Sequence, residues 1–370
     1  MKTKKNLIFF LPNFSKGGAA NSIIRLCEGL DKKEYNIFII SIGKNFYKNR
    51  IKKFCKKIYE LNFKKTIFSF LRIRNIITPI ISKNKNTLFI SNINYANVLS
   101  VIFLRNIENL KIILVERTSV NELNIYYSLK DFVKKKIIKI LMIFFYKKAD
   151  QIIANSKTVA KILENLTKKE TFYIYPPSLE KVYKYKKPKF NKKKCLRILT
   201  TGRLAIEKNL KIIILSLKYL NFDNFKLFIL GSGPEKNELL NFVKINNLQH
   251  KIKFFSHTDK LAKFYKNSDL FINSSHFEGF PNSVVEAINY NLPVICSRSG
   301  GGIQEILMNG RFGTFFETNN YLSLSKKIIL FRENPNLFYK KLKNAKKNIR
   351  RFTQEKNLVF YNQIFNSLLK

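Results

Sequence analysis

Tryptophan is absent from the 370 residues, and cysteine, methionine and histidine occur only four, three and three times. The cysteines (Cys27, Cys55, Cys195 and Cys296) are widely scattered, with no Cys-x-x-Cys pair and no histidine nearby. That spacing excludes a disulfide framework and a zinc site, and reduced thiols in a cytoplasmic protein are expected. Long uncharged apolar runs are missing too. None reaches the roughly 18–20 residues needed to span a bilayer, and the longest contender, Ile137–Tyr146, is broken by Lys139. The apolar run Leu7–Leu11 is too short for a signal peptide and leads straight into Pro12 and Asn13, so it reads as a first buried strand.

Acidic residues are scarce: 24 against 69 lysines and arginines, a formal net charge of +45. Such a charge suggests nucleic acid or anionic lipid as a partner. Its texture argues against nucleic acid. The basic residues are mostly dispersed lysines, and the aromatics fall in apolar runs instead of forming a stacking module with clustered arginine. A solvated lysine coat accounts for most of the charge, and no nucleic-acid partner is expected.

With 45% hydrophobic residues and this length, the chain exceeds one hydrophobic core and predicts two domains. Short apolar runs alternate with helix-length stretches, the mark of βαβ units and parallel sheets. Strands are predicted at Asn6–Leu11, Tyr35–Ser41, Thr87–Ser91, Lys111–Glu116 and Gln151–Ala154. After a segment punctuated by Pro176, Pro177 and Pro188 the rhythm restarts, with strands at Arg197–Thr201, Lys226–Leu230, Ile252–Phe255, Leu270–Ser274 and Pro293–Ser297. The expected division is an N-terminal Rossmann-like domain over 1–178, a linker over 179–195, and a C-terminal Rossmann-like domain over 196–350. A C-terminal helix over 351–370 is expected to pack back towards the first domain.

Open parallel sheets bind ligands beyond the carboxyl ends of their strands, and the motifs fall on those loops. Lys16-Gly17-Gly18-Ala19-Ala20-Asn21 joins the first strand to a helix, where glycines admit close backbone approach and a helix start favours an anion. Thr201-Gly202-Arg203 through Glu207-Lys208-Asn209 sets two cations around a turn, suited to a diphosphate and to the charge of a leaving phosphate. Glu278-Gly-Phe280-Pro281-Asn282-Ser283-Val-Val-Glu286 follows the strand ending at Ser274. Asn282 or Ser283 is expected to cap the next helix. Glu286 could hold both hydroxyls of a ribose, and Glu278 the hydroxyls of a sugar. A glycine loop, Ser299–Glu305, comes next.

Gly202-Arg203, Glu207-Lys208-Asn209, Gly231-Ser-Gly233-Pro234, Glu278-Gly-Phe-Pro-Asn…Glu286-Ala287 and Gly302-Ile-Gln-Glu305 resemble, in order and spacing, the motif series of glycosyltransferase family 4. The resemblance covers the second half; in the first it rests on Gly17-Gly18-Ala19 and the overall pattern. It implies an α/β GT-B fold, two facing Rossmann-like domains with parallel sheets and a cleft between them, and a retaining transferase of the bacterial surface-glycan or lipid-linked oligosaccharide type. Arg203, Lys208 and Glu278 would then be catalytic. Gly17, Gly18, Gly202, Gly231, Gly233, Phe280, Pro281, Asn282, Ser283 and Glu286 would bind a nucleotide-diphosphate sugar, UDP-linked by expectation. The acceptor would be a glycan or a polyprenyl-linked glycan. The chain lacks Asp-x-Asp, the metal–diphosphate clamp of the other major glycosyltransferase fold. No metal or other cofactor is expected, because the two cations and helix starts would take that role.

One departure concerns the loop after Lys111–Val115, where family members often carry histidine. Here Glu116-Arg117-Thr118 stands in its place. Glu116 and Arg117 become candidate acceptor or sugar contacts, but an arginine is no neutral base at pH 7. An epimerase or an inverting transferase on the same fold is the alternative.

Ser128–Lys148 mixes seven lysines with Phe132, Val133, Ile137, Ile140, Leu141 and Phe144. It reads either as a basic helix docking on anionic lipid or as an ordinary helix with its apolar side on the sheet and its lysines outward. The first reading would place the protein on the inner face of the cytoplasmic membrane.

Overall fold

The computed structural model describes residues 4–15, 17–83, 86–126, 128–256, 258 and 260–369. Lys16 of the sequence reading lies outside the described residues. The chain forms two compact units, Met1–Glu180 with Phe352–Lys370, and Lys181–Arg351.

The first unit holds seven strands: β1 (Lys5–Phe10), β2 (Tyr35–Ser41), β3 (Lys57–Glu60), β4 (Thr87–Asn92), β5 (Leu110–Glu116), β6 (Gln151–Ala154) and β7 (Thr171–Tyr173). They form one sheet in the order β3-β2-β1-β4-β5-β6-β7, and every pairing is parallel. Helices cover both faces, so the central strands are apolar on both sides and read as runs, not alternations. Alternate residues part into two cores. Ile8, Phe10 and Phe89 pack with helices Thr66–Lys83, Asn94–Leu104 and Leu129–Phe145. Leu7, Phe9 and Ile37 pack with helices Gly18–Gly29 and Gln354–Leu368.

The second unit repeats the plan with six strands: β8 (Leu196–Thr201), β9 (Phe225–Leu230), β10 (Ile252–Phe255), β11 (Leu270–Asn273), β12 (Val294–Ser297) and β13 (Thr314–Phe316). Their order is β10-β9-β8-β11-β12-β13, again all parallel. Strand order reverses between β1 and β4 in one unit and between β8 and β11 in the other. Those reversals open a crevice at the carboxyl edge of each sheet.

The ten expected strands are present, with ends moved by one residue at most. The sequence reading passed over β3, β7 and β13, and all three lie at sheet edges.

The segment following Glu180 has no regular element, yet it is fastened to the second unit. Asn289 Nδ2 donates to Lys181 O at 2.8 Å, and Tyr183 N donates to Asn289 Oδ1 at 3.1 Å. The Phe190 ring lies 5.5 Å from that of Phe331. In the first unit the returning chain is held by Ser178 N and Leu179 N, which donate to Phe352 O at 3.0 and 3.1 Å, and by Gln354 N, which donates to Leu179 O at 2.9 Å. Helix Gln354–Leu368 then lies against helix Gly18–Gly29, where a side chain on Gly29 would come within 2.8 Å of Gln354 Nε2.

Candidate active site

In the second unit the loops leaving β8 and β11 meet at the switch point. Ser274 Oγ donates to Lys208 O at 2.7 Å, and His276 N donates to Glu207 O at 2.9 Å, so backbone ties fix one loop on the other. This alignment brings Lys208 Nζ to 2.5 Å from Glu278 Oε1, across 70 positions of sequence. Ser275 Oγ donates to the same carboxylate oxygen at 2.7 Å, and Asn273 Nδ2 approaches it at 3.4 Å. The lysine and glutamate side chains keep 24% and 10% exposure, and Lys208 lines a recess. Thr201, Gly202, Arg203, Lys208, Asn273 and Ser275 are among the residues lining it.

Glycine here answers a steric demand. A Cβ on Gly231 would sit 1.8 Å from Gly202 O, and one on Gly233 2.2 Å from Leu204 O, so the loop after β9 can press against the loop after β8 only without side chains. Gly301, at φ +66°, would place a Cβ 2.0 Å from Glu278 O. The glycine loop before helix Gly302–Ile306 thus supports the backbone that carries Glu278.

Helix Asn282–Asn289 starts one residue earlier than expected. Pro281 occupies the N-cap position, and no side chain caps the helix. Asn282 and Ser283 are therefore first-turn residues and not caps: the expected capping role is corrected, because the chain is already helical at Asn282. Phe280 and Pro281 are buried behind the turn. Glu286 lies on the helix's second turn and accepts a hydrogen bond from Tyr265 Oη at 3.1 Å. That hydroxyl also lies 3.2 Å from Thr201 Oγ1, linking Glu286 to the end of β8. Burial and the Glu286 charge push the Tyr265 phenol well up, so it remains a proton donor. Arg203 is 65% exposed and is paired with Glu207 at 2.5 Å. It stands at the recess but is not joined to Lys208 and Glu278.

In the first unit the candidates are arranged differently. Glu116, at the end of β5, is 1% exposed. Its Oε2 accepts from Tyr146 Oη at 2.9 Å, and its Oε1 accepts from Thr118 Oγ1 at 2.7 Å and from the N–H groups of Arg117 and Thr118 at 3.1 and 3.2 Å. The side chain is turned inward and braces the loop. Burial pushes its carboxyl up despite these donors. Arg117 Nε donates to Asn92 Oδ1 at 2.7 Å, bridging the ends of β5 and β4, and burial lowers its guanidinium. Gly17 starts helix Gly18–Gly29 at φ −174°, and an added Cβ would find only Ser15 O, at 4.0 Å. Neither conformation nor packing within the described residues requires glycine there.

The sequence reading named Thr201 only as the start of its motif, and it missed Asn273, Ser274 and Ser275 in the recess and Tyr265 behind Glu286. A signal was available: the polar run Asn273-Ser-Ser275 directly follows the buried apolar Leu270–Ile272 at a strand's carboxyl end. Among the described residues, no group of three histidine, cysteine or carboxylate side chains could hold a metal ion.

Residues 183–352, which include the whole recess, match the family described as glycosyl transferases group 1. This stretch, just under half of the chain, is similar to that family. An uncharacterized glycosyltransferase of Methanocaldococcus jannaschii is 33% identical over 258 residues, covering 65% of this chain and 62% of that protein. The N-acetylgalactosamine-N,N'-diacetylbacillosaminyl-diphospho-undecaprenol 4-alpha-N-acetylgalactosaminyltransferase of Campylobacter jejuni is 32% identical over 194 residues, 50% of this chain and 52% of that one. The chain thus spans about half to three fifths of the length of these two curated relatives. The crystal structure of Anabaena HepE in complex with UDP and glucose covers 98% of this chain and 100% of its own, with a TM-score of 0.78 and 16% identity. That likeness is one of fold, two Rossmann-like parallel-sheet units of the GT-B kind, and it covers nearly the whole chain.

Proposed function

We propose that this protein is a retaining glycosyltransferase that moves a hexose or N-acetylhexosamine from a UDP-sugar to a lipid-linked oligosaccharide or other surface-glycan acceptor at the cytoplasmic face of a membrane. The observation that carries the reading is the Lys208–Glu278 pair, held at the switch point of the second sheet beside the recess lined by Thr201, Gly202 and Arg203. Lys208 and Arg203 are assigned the diphosphate, where their charge offsets the negative charge growing on the leaving group. Glu278 is assigned the hydroxyls of the transferred sugar, and Glu286, steadied by Tyr265, the ribose. The bond from the anomeric carbon to the phosphate oxygen breaks with its electron pair on the phosphate. The acceptor oxygen bonds to that carbon on the same face, and its proton passes to the departing phosphate oxygen. No side-chain base is needed, which agrees with an arginine standing after β5. Two proteins support the substrate classes: the Campylobacter relative is named for a diphospho-undecaprenol acceptor, and the Anabaena structure holds UDP and glucose.

The test is thermal unfolding with UDP and a panel of UDP-sugars, in the presence and absence of EDTA, followed by transfer onto polyprenyl-diphosphate glycans. UDP should raise the midpoint with or without EDTA, and the product should keep the donor's anomeric configuration by NMR. No shift with any nucleotide sugar would sink the assignment, and an inverted product would sink the retaining step.

A further inference from the structure

Helix Leu129–Phe145 is apolar on two sides. Its inward side sets Ile138, Leu141, Met142 and Phe145 on the core beneath β5 and β6. The outward side carries Leu129, Val133, Ile137, Ile140 and Phe144, with exposures of 79%, 48%, 51%, 51% and 54%. Their spacing of four, four, three and four residues forms one continuous stripe along the helix. At 1.5 Å per residue the stripe is about 22 Å long. Single exposed hydrophobes are ordinary, but a continuous row of this kind marks an interaction surface. Exposed Lys130, Lys134 and Lys136 lie on or beside the stripe, and Lys147 and Lys148 stand just past its end.

A second patch belongs to the same side of the sheet. Helix Thr66–Lys83 exposes Ile67, Phe68 and Leu71 at 47%, 62% and 70% in its first turns, with Lys64, Lys65 and Arg72 around them. Helix Asn94–Leu104 packs between these two helices. Both exposed helices follow a strand of a parallel sheet, β3 and β5, so both start from the sheet's carboxyl edge.

We propose that this face docks on an anionic lipid bilayer, with the stripe lying flat in the headgroup region and the lysines on lipid phosphates. Charge decides the occupant. A second copy of a chain with net charge +45 would bring lysine against lysine, whereas an anionic bilayer supplies apolar depth and opposite charge together. Among the described residues no helix is long and apolar enough to cross a membrane, so the contact is interfacial. The surface deepens the transferase reading, on which it rests, because it would hold the first unit against the bilayer that carries a lipid-anchored acceptor.

Co-flotation of the full-length protein with vesicles tests this directly. Binding is expected to phosphatidylcholine vesicles containing phosphatidylglycerol and not to phosphatidylcholine alone. Ile137→Asn with Ile140→Asn should weaken it at least about tenfold at an unchanged thermal midpoint. Lys130→Ala with Lys134→Ala should weaken it roughly tenfold at low salt and less at high salt. No flotation of the wild type at physiological salt, or equal flotation of the isoleucine variant, overturns the proposal. So does a concentration-dependent dimer that the isoleucine variant abolishes. Flotation without any UDP-sugar effect on unfolding would overturn the transferase reading while leaving the surface in place.

Discussion

At the end of β5 and at the ends of β8 and β11, an acid and a base stand together at the carboxyl edge of a parallel sheet. The two units use them in opposite ways. In the first, Glu116 is sealed inside and its oxygens accept from Tyr146, Thr118 and two backbone N–H groups, while Arg117 reaches across to Asn92. In the second, Glu278 and Lys208 bond to each other at the border of a recess. A closed network fixes a loop and offers nothing to a ligand. A half-open pair is held in register by its own attraction and keeps its polar atoms within reach of solvent. The same residue types at the same place in the same fold therefore carry different information, decided by which partners are within reach.

The comparison breaks if the two acids behave alike when replaced. Lys208→Ala and Glu278→Gln should each lower kcat by about 10²–10³-fold, the range for removing one charge-stabilising contact, with the melting point nearly unchanged in calorimetry. Glu116→Ala should do the reverse. It removes the shorter acceptor of the buried Tyr146 hydroxyl, leaving only Asn94 O at 3.4 Å, and strands the N–H groups of Arg117 and Thr118, at a cost of roughly 2–4 kcal/mol in urea unfolding. The folded fraction should keep most of its kcat. If Glu116→Ala melted like the wild type and lost activity like Glu278→Gln, the inward-facing acid would belong to the chemistry after all.

A smaller effect contrasts two lysines of the second unit. Lys208 has a carboxylate partner, whereas the Nζ of Lys346 donates to the backbone and side-chain oxygens of Asn289, and burial lowers its pKa to about 8. Between pH 8 and the ordinary lysine value the unfolded chain holds this proton and the folded chain has lost it. Stability should therefore rise with pH across that window. The urea midpoint should climb from pH 7.5 to pH 9.5, a range chosen to span roughly that titration, and Lys346→Met should flatten the rise. An equal rise in both proteins would assign it to other groups.

The central strands were legible because burial on both faces demands unbroken runs such as Leu7–Leu11 and Leu270–Ile272, and Gly231, Gly233 and Gly301 because their neighbours leave no room for a Cβ. The edge strands were not. Lys57–Glu60, Thr171–Tyr173 and Thr314–Phe316 are three or four residues long with a neighbour on one side only, so two of them expose polar or aromatic side chains and none makes a periodic signal. The sequence also favoured Asn282 or Ser283 as helix cap on side-chain chemistry, whereas the backbone starts its helix at Asn282 with Pro281 in the cap position. Glu116 looked like a surface contact because nothing local announces Tyr146, thirty positions away, as its partner. Helix Leu129–Phe145 posed a choice between an apolar inner side and a lipid-facing one, and the structure has apolar rows on both.

The second unit is interpolated into the first, since the chain leaves one at Glu180 and rejoins it at Phe352. During synthesis residues 181–351 emerge as one continuous stretch and can close their sheet as they appear. The first unit lacks helix Gln354–Leu368 until much later, and the face of Leu26, Leu30 and Tyr35 stays uncovered for the time needed to translate the whole interpolated stretch. At ribosomal speeds on the order of 5–20 residues per second that delay is roughly ten seconds or more. A nascent chain would spend that interval as a client for holding chaperones.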